Sequence, residues 1–284
     1  MFKRASTKKK ASLFDITAVA LFLLLAFIMV VPIYKVLVDS LDLRTAYGIK
    51  LLPEKWGLAG YRSVLTNPTL YTPFLVSCFT TVMGTLAGLT LSTLGAYVLI
   101  QWKMPGRSLF AGILLFTMIF NGGMIPTYLV MKGMRLTNTL WAVILLPAID
   151  VYNMVLMRNF FEGIPASLFE SAQMDGCSPM RTFFSIVLPL SKAALAAIGL
   201  MYAVGYWNDY TNYKLYITNA NLYNFQMKLR SIIMGSDLPS AVGGATENTV
   251  KSAAVITAIL PFVIIYPFCQ KYFIQGVNIG AVKE

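Results

Sequence analysis

Few residues in this chain can do chemistry, and their spacing excludes most reactions. The sequence holds no histidine, which removes imidazole acid–base catalysis and imidazole metal ligation. Its three cysteines, Cys78, Cys177 and Cys269, stand far apart and fit no metal-ligand or disulfide framework. No G-x-x-x-x-G-K-[ST] loop is present to cradle a nucleotide phosphate. No nucleophile is paired with a base, so an enzyme is not expected. What remains is a small set of carboxylates in unusual places. Asp150 and Asp209 fall within or beside long apolar runs, where an ionisable group is costly and often functional. Glu170 and Asp175 lie in a short, half-apolar segment between two such runs.

The elements that must position these groups are set by composition. Hydrophobic residues make up 57% of the 284 and charged residues 12%, against about 45–50% and roughly 25% in an ordinary soluble domain. Mean hydropathy is +0.67. That much apolar surface cannot be hidden in one core of this length, so it must face lipid or other subunits. Six apolar runs are each long enough to cross a bilayer, near residues 14–38, 74–100, 109–131, 139–157, 193–213 and 250–272. The expected fold is an all-α membrane protein with six transmembrane helices. It divides into a basic N-terminus (1–13), a membrane domain (14–274) containing an inner loop at 158–192, and a C-terminal tail (275–284).

The net charge is +11, but its densest cluster is Lys3, Arg4, Lys8, Lys9 and Lys10, just before the first apolar run. That placement predicts a cytoplasmic membrane flank and not a nucleic-acid surface. The run is too long for a signal peptide and no small-residue cleavage site follows it, so a retained first helix is expected. With six spans both termini lie in the cytoplasm. Residues 101–108 and 158–192 then face inward, while 39–73, 132–138 and 214–249 face outward. Asn121-Gly122-Gly123 with Pro126, Pro147 with Asp150, and Pro261 with Pro267 interrupt three of the runs. Broken backbone at membrane depth is tolerated where it faces protein or a water-filled cavity.

The inner loop reads as two short helices. Ser167 and Glu170 have the S-x-x-E spacing of a capping box. Gly176 supplies a left-handed position to end the first helix. Ser178-Pro179 begins the second as N-cap and N1, with residues 180–188 helical and a stop near Pro189. Leu168, Phe169 and Ala172 give the first helix an apolar face, and Glu170 and Asp175 give it charge. A structured, half-apolar element on the inner side calls for a partner.

Glu170-Ser171-Ala172, then Gly176, then Ile186-Val187-Leu188-Pro189 reproduce the spacing E-A-A-x3-G-x9-I-x-L-P. That pattern resembles the signature loop of the permeases of ATP-binding-cassette (ABC) importers. Ser171 departs from the usual alanine, and Ala193 stands where relatives often carry proline. Four further blocks resemble the carbohydrate permeases: Phe120–Pro126, Leu156–Phe161, Tyr206-Trp207-Asn208, and Gln270–Gly276. The layout is similar to the smaller permease of the maltose importer, and closer to permeases for complex oligosaccharides such as pectin-derived rhamnogalacturonan fragments.

The resemblance implies a type I importer permease fold in the cell membrane, with a cytoplasmic coupling helix. Leu168, Phe169, Glu170, Ala172, Asp175 and Gly176 would then dock on an ATPase subunit. The implied partners are a second, non-identical permease, two ATPase subunits, an extracellular solute-binding protein, the bilayer and an oligosaccharide. ATP and magnesium would belong to the ATPases, with no cofactor on this chain. Residues 240–246 would be a pliable tip of the outer loop that meets the binding protein, and the tail would reach toward the ATPases. Asn121, Asn153, Tyr202, Tyr206, Trp207, Asn208, Asp209 and Tyr210 are the candidates for the sugar path, because sugars offer hydroxyls to amides and carboxylates and apolar ring faces to aromatics. A self-sufficient secondary transporter or channel is the alternative. Such proteins usually carry buried charge relays or inverted repeats, and neither is evident.

Overall fold

The computed structural model describes residues 13–44, 48, 50–101, 104–235 and 244–280; the side chains of 269 and 271–280 are not considered. The basic N-terminal run, the first part of the expected pliable tip (240–243) and the last four residues of the tail lie outside the described residues. Among the described residues the regular structure is helical, apart from a lone antiparallel bridge between Asp42 and Trp56. The helices are α1 (Leu13–Leu41), α2 (Ala59–Thr66), α3 (Pro68–Ile100), α4 (Arg107–Ile119), α5 (Met124–Gly133), α6 (Leu140–Leu145), α7 (Val151–Glu162), α8 (Ala166–Met174), α9 (Pro179–Thr182), α10 (Leu188–Leu190), α11 (Lys192–Trp207), α12 (Thr211–Tyr216), α13 (Phe225–Ile233) and α14 (Glu247–Gly280).

The chain is an all-α, multi-span membrane fold. α1, α3 and residues Glu247–Phe268 of α14 are each long and apolar enough to cross a bilayer. The other three apolar runs are broken. α4 and α5 meet at 119°, Leu140–Ala148 and α7 at 45°, and Pro179–Leu190 and α11 at 81°. Each break has a local cause. Gly123, at φ +92°, opens α5, a backbone angle that favours glycine. Pro147 sits in a 3-10 turn at Leu146–Ala148, and Asp150 then caps α7 by accepting the Asn153 N–H at 3.2 Å. Ser191 separates α10 from α11.

Several expectations change here. α3 begins at Pro68, ahead of the expected 74, because Asn67 accepts the Thr69 N–H at 3.0 Å as N-cap and Pro68 takes N1. The fifth run ends as a helix at Trp207 rather than 213, and α12 follows as a separate turn. The second helix of the inner loop stops near Pro189, as expected, though just past it. A π-helical stretch at Phe183–Val187 lets the Leu188 N–H reach Phe183 O, five residues back, and the helix runs on to Leu190. The wider π turn accommodates the proline ring, which an α turn resists. The backbone of residues 275–280 continues α14.

Contacts divide the chain into two units. The larger, residues 65–238 and 258–284, is organised around α3, against which α11 and α7 both pack. Small residues let the helices approach: a Cβ at Gly84 would stand 2.4 Å from the Tyr206 ring, one at Gly88 2.6 Å from the Tyr202 ring, and one at Gly95 2.6 Å from the Met154 side chain. Without a hydrophobic drive between helices in lipid, such close packing holds a membrane bundle together.

The smaller unit, residues 1–64 and 239–257, contains α1, whose side chains from Leu21 to Val30 are exposed and available to lipid or a neighbouring subunit. Its fixed point is Asp42, at the end of α1 and 3% exposed. The Asp42 carboxylate accepts the backbone N–H groups of Arg44 (3.0 Å), Glu54 (3.1 Å) and Lys55 (3.2 Å), while its carbonyl accepts the Thr249 hydroxyl at 2.5 Å. Burial works to raise the Asp42 pKa, but the three N–H donors and nearby Lys50 outweigh it and hold the carboxyl below its ordinary value. Because the folded pKa is lowered, the stabilisation is complete above the ordinary carboxylate range. It is lost as pH falls through that range toward the folded pKa. In Asp42→Asn the amides of Arg44, Glu54 and Lys55 should lose about tenfold in hydrogen-exchange protection at neutral pH, the scale of a charge-assisted hydrogen bond. In the native chain the same protection should fade as pH drops below about 4.

Candidate functional site

The expected coupling segment is α8 and the turn after it. Its capping box is absent: Pro165 is the N-cap, with no side-chain cap bond. The helix starts one residue before Ser167, which puts that hydroxyl inside the first turn, too late to reach an orphan N–H. The C-terminal end does form as expected. Asp175 is the C-cap and Gly176 sits at φ +71°. The Gly176 N–H bonds Gln173 O at 3.1 Å and the Cys177 N–H bonds Ala172 O at 2.9 Å, the paired closure of a Schellman turn. Ser178 then accepts the Arg181 N–H at 3.3 Å as the next N-cap, with Pro179 at N1.

α8 has two faces. Ala172 is buried, and Phe169 packs against the interior formed by Met157, Phe161, Phe183 and Val187. Leu168, Glu170, Asp175 and Gly176 are exposed, and Met174 is 88% exposed. The expected six therefore split into two inward anchors and four outward groups. The following turn is fixed to the bundle by the Tyr97 hydroxyl of α3, which donates to Pro179 O at 2.7 Å while its ring lies 4.9 Å from that of Phe183.

The sugar-path candidates fall into three groups. Tyr202, Tyr206 and Trp207 are buried, with their polar atoms bonded inside the chain. Tyr202 OH shares a 2.6 Å bond with Ser92 Oγ and donates to Ala148 O at 3.3 Å. Tyr206 OH donates to Ile144 O at 2.7 Å, and Trp207 Nε1 to Ala258 O at 3.0 Å. Trp207 also meets Phe74 and Phe262 edge-on. In this conformation the three face the helix interior, where the sequence reading placed them on a sugar path. Helix packing takes their rings and backbone carbonyls take their donors.

Asn208, Asp209 and Tyr210 form a polar group just past α11. Gln226 Nε2 donates to Asn208 Oδ1 at 3.3 Å. The Asp209 carboxylate accepts the N–H and the Nδ2–H of Asn212 at 3.0 and 2.9 Å, and the Asp209 carbonyl accepts Asn224 Nδ2 at 2.6 Å. The Arg230 guanidinium lies 4.4 Å over the Tyr210 ring, a cation–π contact. Amides, a carboxylate, an aromatic face and a cation thus converge in one place. Asn121, exposed at the α4–α5 break, accepts the Gly123 N–H at 2.8 Å. Asn153 is 3% exposed and its Oδ1 has no hydrogen-bond partner among the described residues. No hydrogen bond or ring contact among the described residues brings these two asparagines into the Asn208–Tyr210 group. The described residues contain no cluster of metal-ligating groups.

The sequence reading missed Ser92, Tyr97, Gln226 and Arg230. A signal for the first was present: Gly84-x3-Gly88-x3-Ser92 on one helix and Tyr202-x3-Tyr206 on another have the same four-residue step. Gly84 meets Tyr206 and Gly88 meets Tyr202, the reversed order that an antiparallel pair requires.

Residues 64–279 match the family described as binding-protein-dependent transport system inner membrane component. This chain belongs to that family. The permease is 39% identical to the polygalacturonan/rhamnogalacturonan transport system permease protein YtcP of Bacillus subtilis (strain 168), over 96% of this chain and 99% of the relative. It is 26% identical to the arabinooligosaccharides transport system permease protein AraQ of the same organism, over 96% and 97% of the two chains. In structure it superposes with TM-score 0.85 and 29% identity on a chain from a bacterial ABC transporter involved in the import of the acidic polysaccharide alginate, covering 96% of this chain and 99% of that one. It is a membrane-embedded permease subunit of an ABC importer, distinct from the subunits that hydrolyse ATP. Permeases of this family work in complexes with ATPase and solute-binding components.

The α3–α11 contact is directly testable. Gly84→Ala places a methyl into the Tyr206 ring and should destabilise the assembled protein by about 1–3 kcal/mol, the cost of an overpacked site. Gly112→Ala, whose Cβ would meet nothing within 4 Å, should be neutral or slightly stabilising. Thermal unfolding of the two purified variants in one detergent checks the difference.

Proposed function

We propose that this permease imports oligosaccharides derived from acidic polysaccharide, galacturonate-containing fragments in particular. The observation that carries this reading is the polar group past α11, where the Arg230 guanidinium lies over Tyr210 beside Asn208, Asn212 and Gln226. An aromatic face suits a sugar ring, amides suit hydroxyls, and a guanidinium suits a carboxylate. The polysaccharides that two relatives are named for, polygalacturonan/rhamnogalacturonan and alginate, support the same chemistry. In this reading Asn121, Asn153, Asn208, Asp209 and Tyr210 line or approach the path. Tyr202, Tyr206 and Trp207 position the helices around it.

The complex is completed by a second, non-identical permease, two ATPases and an extracellular binding protein that delivers cargo to the outer loops. Each bent helix pair counts as one span, giving six spans and both termini in the cytoplasm. α8 is the coupling helix. Leu168, Glu170 and Asp175 with Met174 face the ATPase, Phe169 and Ala172 hold the helix to the bundle, and Gly176 fixes its exit angle. A capped, anchored helix transmits displacement where a flexible loop would not.

Two experiments test the reading. In the reconstituted complex, binding-protein-dependent ATP hydrolysis should rise with galacturonate oligosaccharides and respond weakly to neutral arabino-oligosaccharides. Stimulation by amino acids or peptides and by no sugar would overturn the cargo assignment. Gly176→Val should leave the complex assembled and uncouple ATP hydrolysis from transport. A Cβ at Gly176 would meet nothing within 4 Å, so the whole effect comes from valine resisting positive φ, by about 1–2 kcal/mol. Normal transport by that variant would remove the coupling role from this turn.

A further inference from the structure

We infer that Tyr202 and Tyr206 are positioning residues that carry displacement of the α8–α10 segment to the break between α6 and α7, an inference that rests on the coupling role proposed for α8. The two tyrosines sit one turn apart on α11, the helix that directly follows that segment. Their hydroxyls bond Ala148 O and Ile144 O, also one turn apart, in the last turns before Asp150. The contact is therefore a two-rung ladder between a helix at the end of the proposed coupling segment and the first half of a broken run.

The rings and the hydroxyls do different work. Each ring fills a glycine notch on α3, at Gly84 or Gly88, and phenylalanine would fill it equally well. Apolar packing of this kind resists compression but allows neighbouring helices to slide. A hydroxyl bonded to a particular carbonyl fixes register, so α11 cannot shift without drawing residues 144–148 with it. The segment before α11 is built into the same interior: Phe169, Phe183 and Val187 pack in one cluster with Ile198, Tyr202 and Tyr206.

One rung has an alternative acceptor beside it. The Tyr202 hydroxyl divides itself between Ser92 Oγ at 2.6 Å and Ala148 O at a longer 3.3 Å. Asn153, on the other side of the break, is 3% exposed and its Oδ1 has no hydrogen-bond partner among the described residues. A buried acceptor without a donor calls for an explanation. Here a hydroxyl able to turn from Ala148 O to Asn153 Oδ1 would give the break two arrangements, one gripped through α6 and one through α7. Bistable contacts of this kind turn a small shift into a discrete change.

The test uses the full complex with its ATPases and binding protein, and reads cargo transported per ATP hydrolysed. Tyr206→Phe and Tyr202→Phe keep the rings in their notches and remove only the hydroxyls. Each variant should assemble, hydrolyse ATP and lose about fivefold in cargo per ATP, the effect of one net hydrogen bond. A normal ratio in both variants, with or without a loss of thermal stability, would mean that the tyrosines only pack, and would overturn the inference. Should either variant fail to assemble, the ratio in the other decides. Gly176→Val separates the two levels of the argument. If it uncouples transport and the phenylalanine variants do not, the ladder is wrong and the coupling role stands. If it transports normally, the coupling role fails and the inference falls with it.

Discussion

A carbonyl at a helix break inside a bilayer has no water to bond, so the protein must bring it a donor. That requirement shapes the larger unit of this chain. Three of its apolar runs are interrupted, and just before the break between α6 and α7 the donors are aromatic side chains from another helix. Tyr202 and Tyr206 reach Ala148 O and Ile144 O; elsewhere in the unit Tyr97 reaches Pro179 O and Trp207 reaches Ala258 O in the same manner. A ring long enough to cross the gap between helices, with a polar tip, suits this task because its body remains apolar. The glycines of α3 follow from the same need, since such rings require notches to enter.

These links make the interior of the larger unit continuous from the inner loop to the broken fourth run. Phe169 and Ala172 turn one side of α8 into the bundle, Phe183 and Val187 continue that contact, and α11 carries it on to Tyr202 and Tyr206. The π-helical stretch between them absorbs Pro189 without unwinding the connection. The packed interior thus joins α8 to runs that are broken.

The chemistry past α11 is sparser and more polar. Past the end of α11, Asp209 organises Asn212 and Asn224 through its carboxylate and carbonyl, and Arg230 rests on Tyr210. Asp209 is thus a scaffold for amides as much as a contact. In the smaller unit Asp42 does similar work, holding Arg44, Glu54 and Lys55 against the end of α1. Asp209 sits just before α12, where the first backbone N–H groups of a helix are free to hold a carboxylate; Asp42 follows the C-terminal end of α1 and takes its N–H donors from Arg44, Glu54 and Lys55 instead.

The sequence by itself determined the membrane class, the apolar runs and the family resemblance of the inner loop. Those features depend on composition and on local spacing. Gly176 and Ser178-Pro179 were legible for the same reason: a left-handed turn and an N-cap are decided within a few residues. The Ser167–Glu170 capping box was misread because the helix starts early, with Pro165 as N-cap, and a two-residue shift in a helix start moves a cap out of reach. For Tyr202, Tyr206 and Trp207, candidates for the sugar path, residue type does not show where a ring packs or what its polar tip bonds. Only the tertiary structure decided that packing, by setting α11 antiparallel to α3 so that the Tyr202 and Tyr206 rings enter glycine notches more than a hundred residues away in the chain. It also decided which polar groups meet past α11, where residues from two separate helices converge on a site that no single stretch of sequence contains.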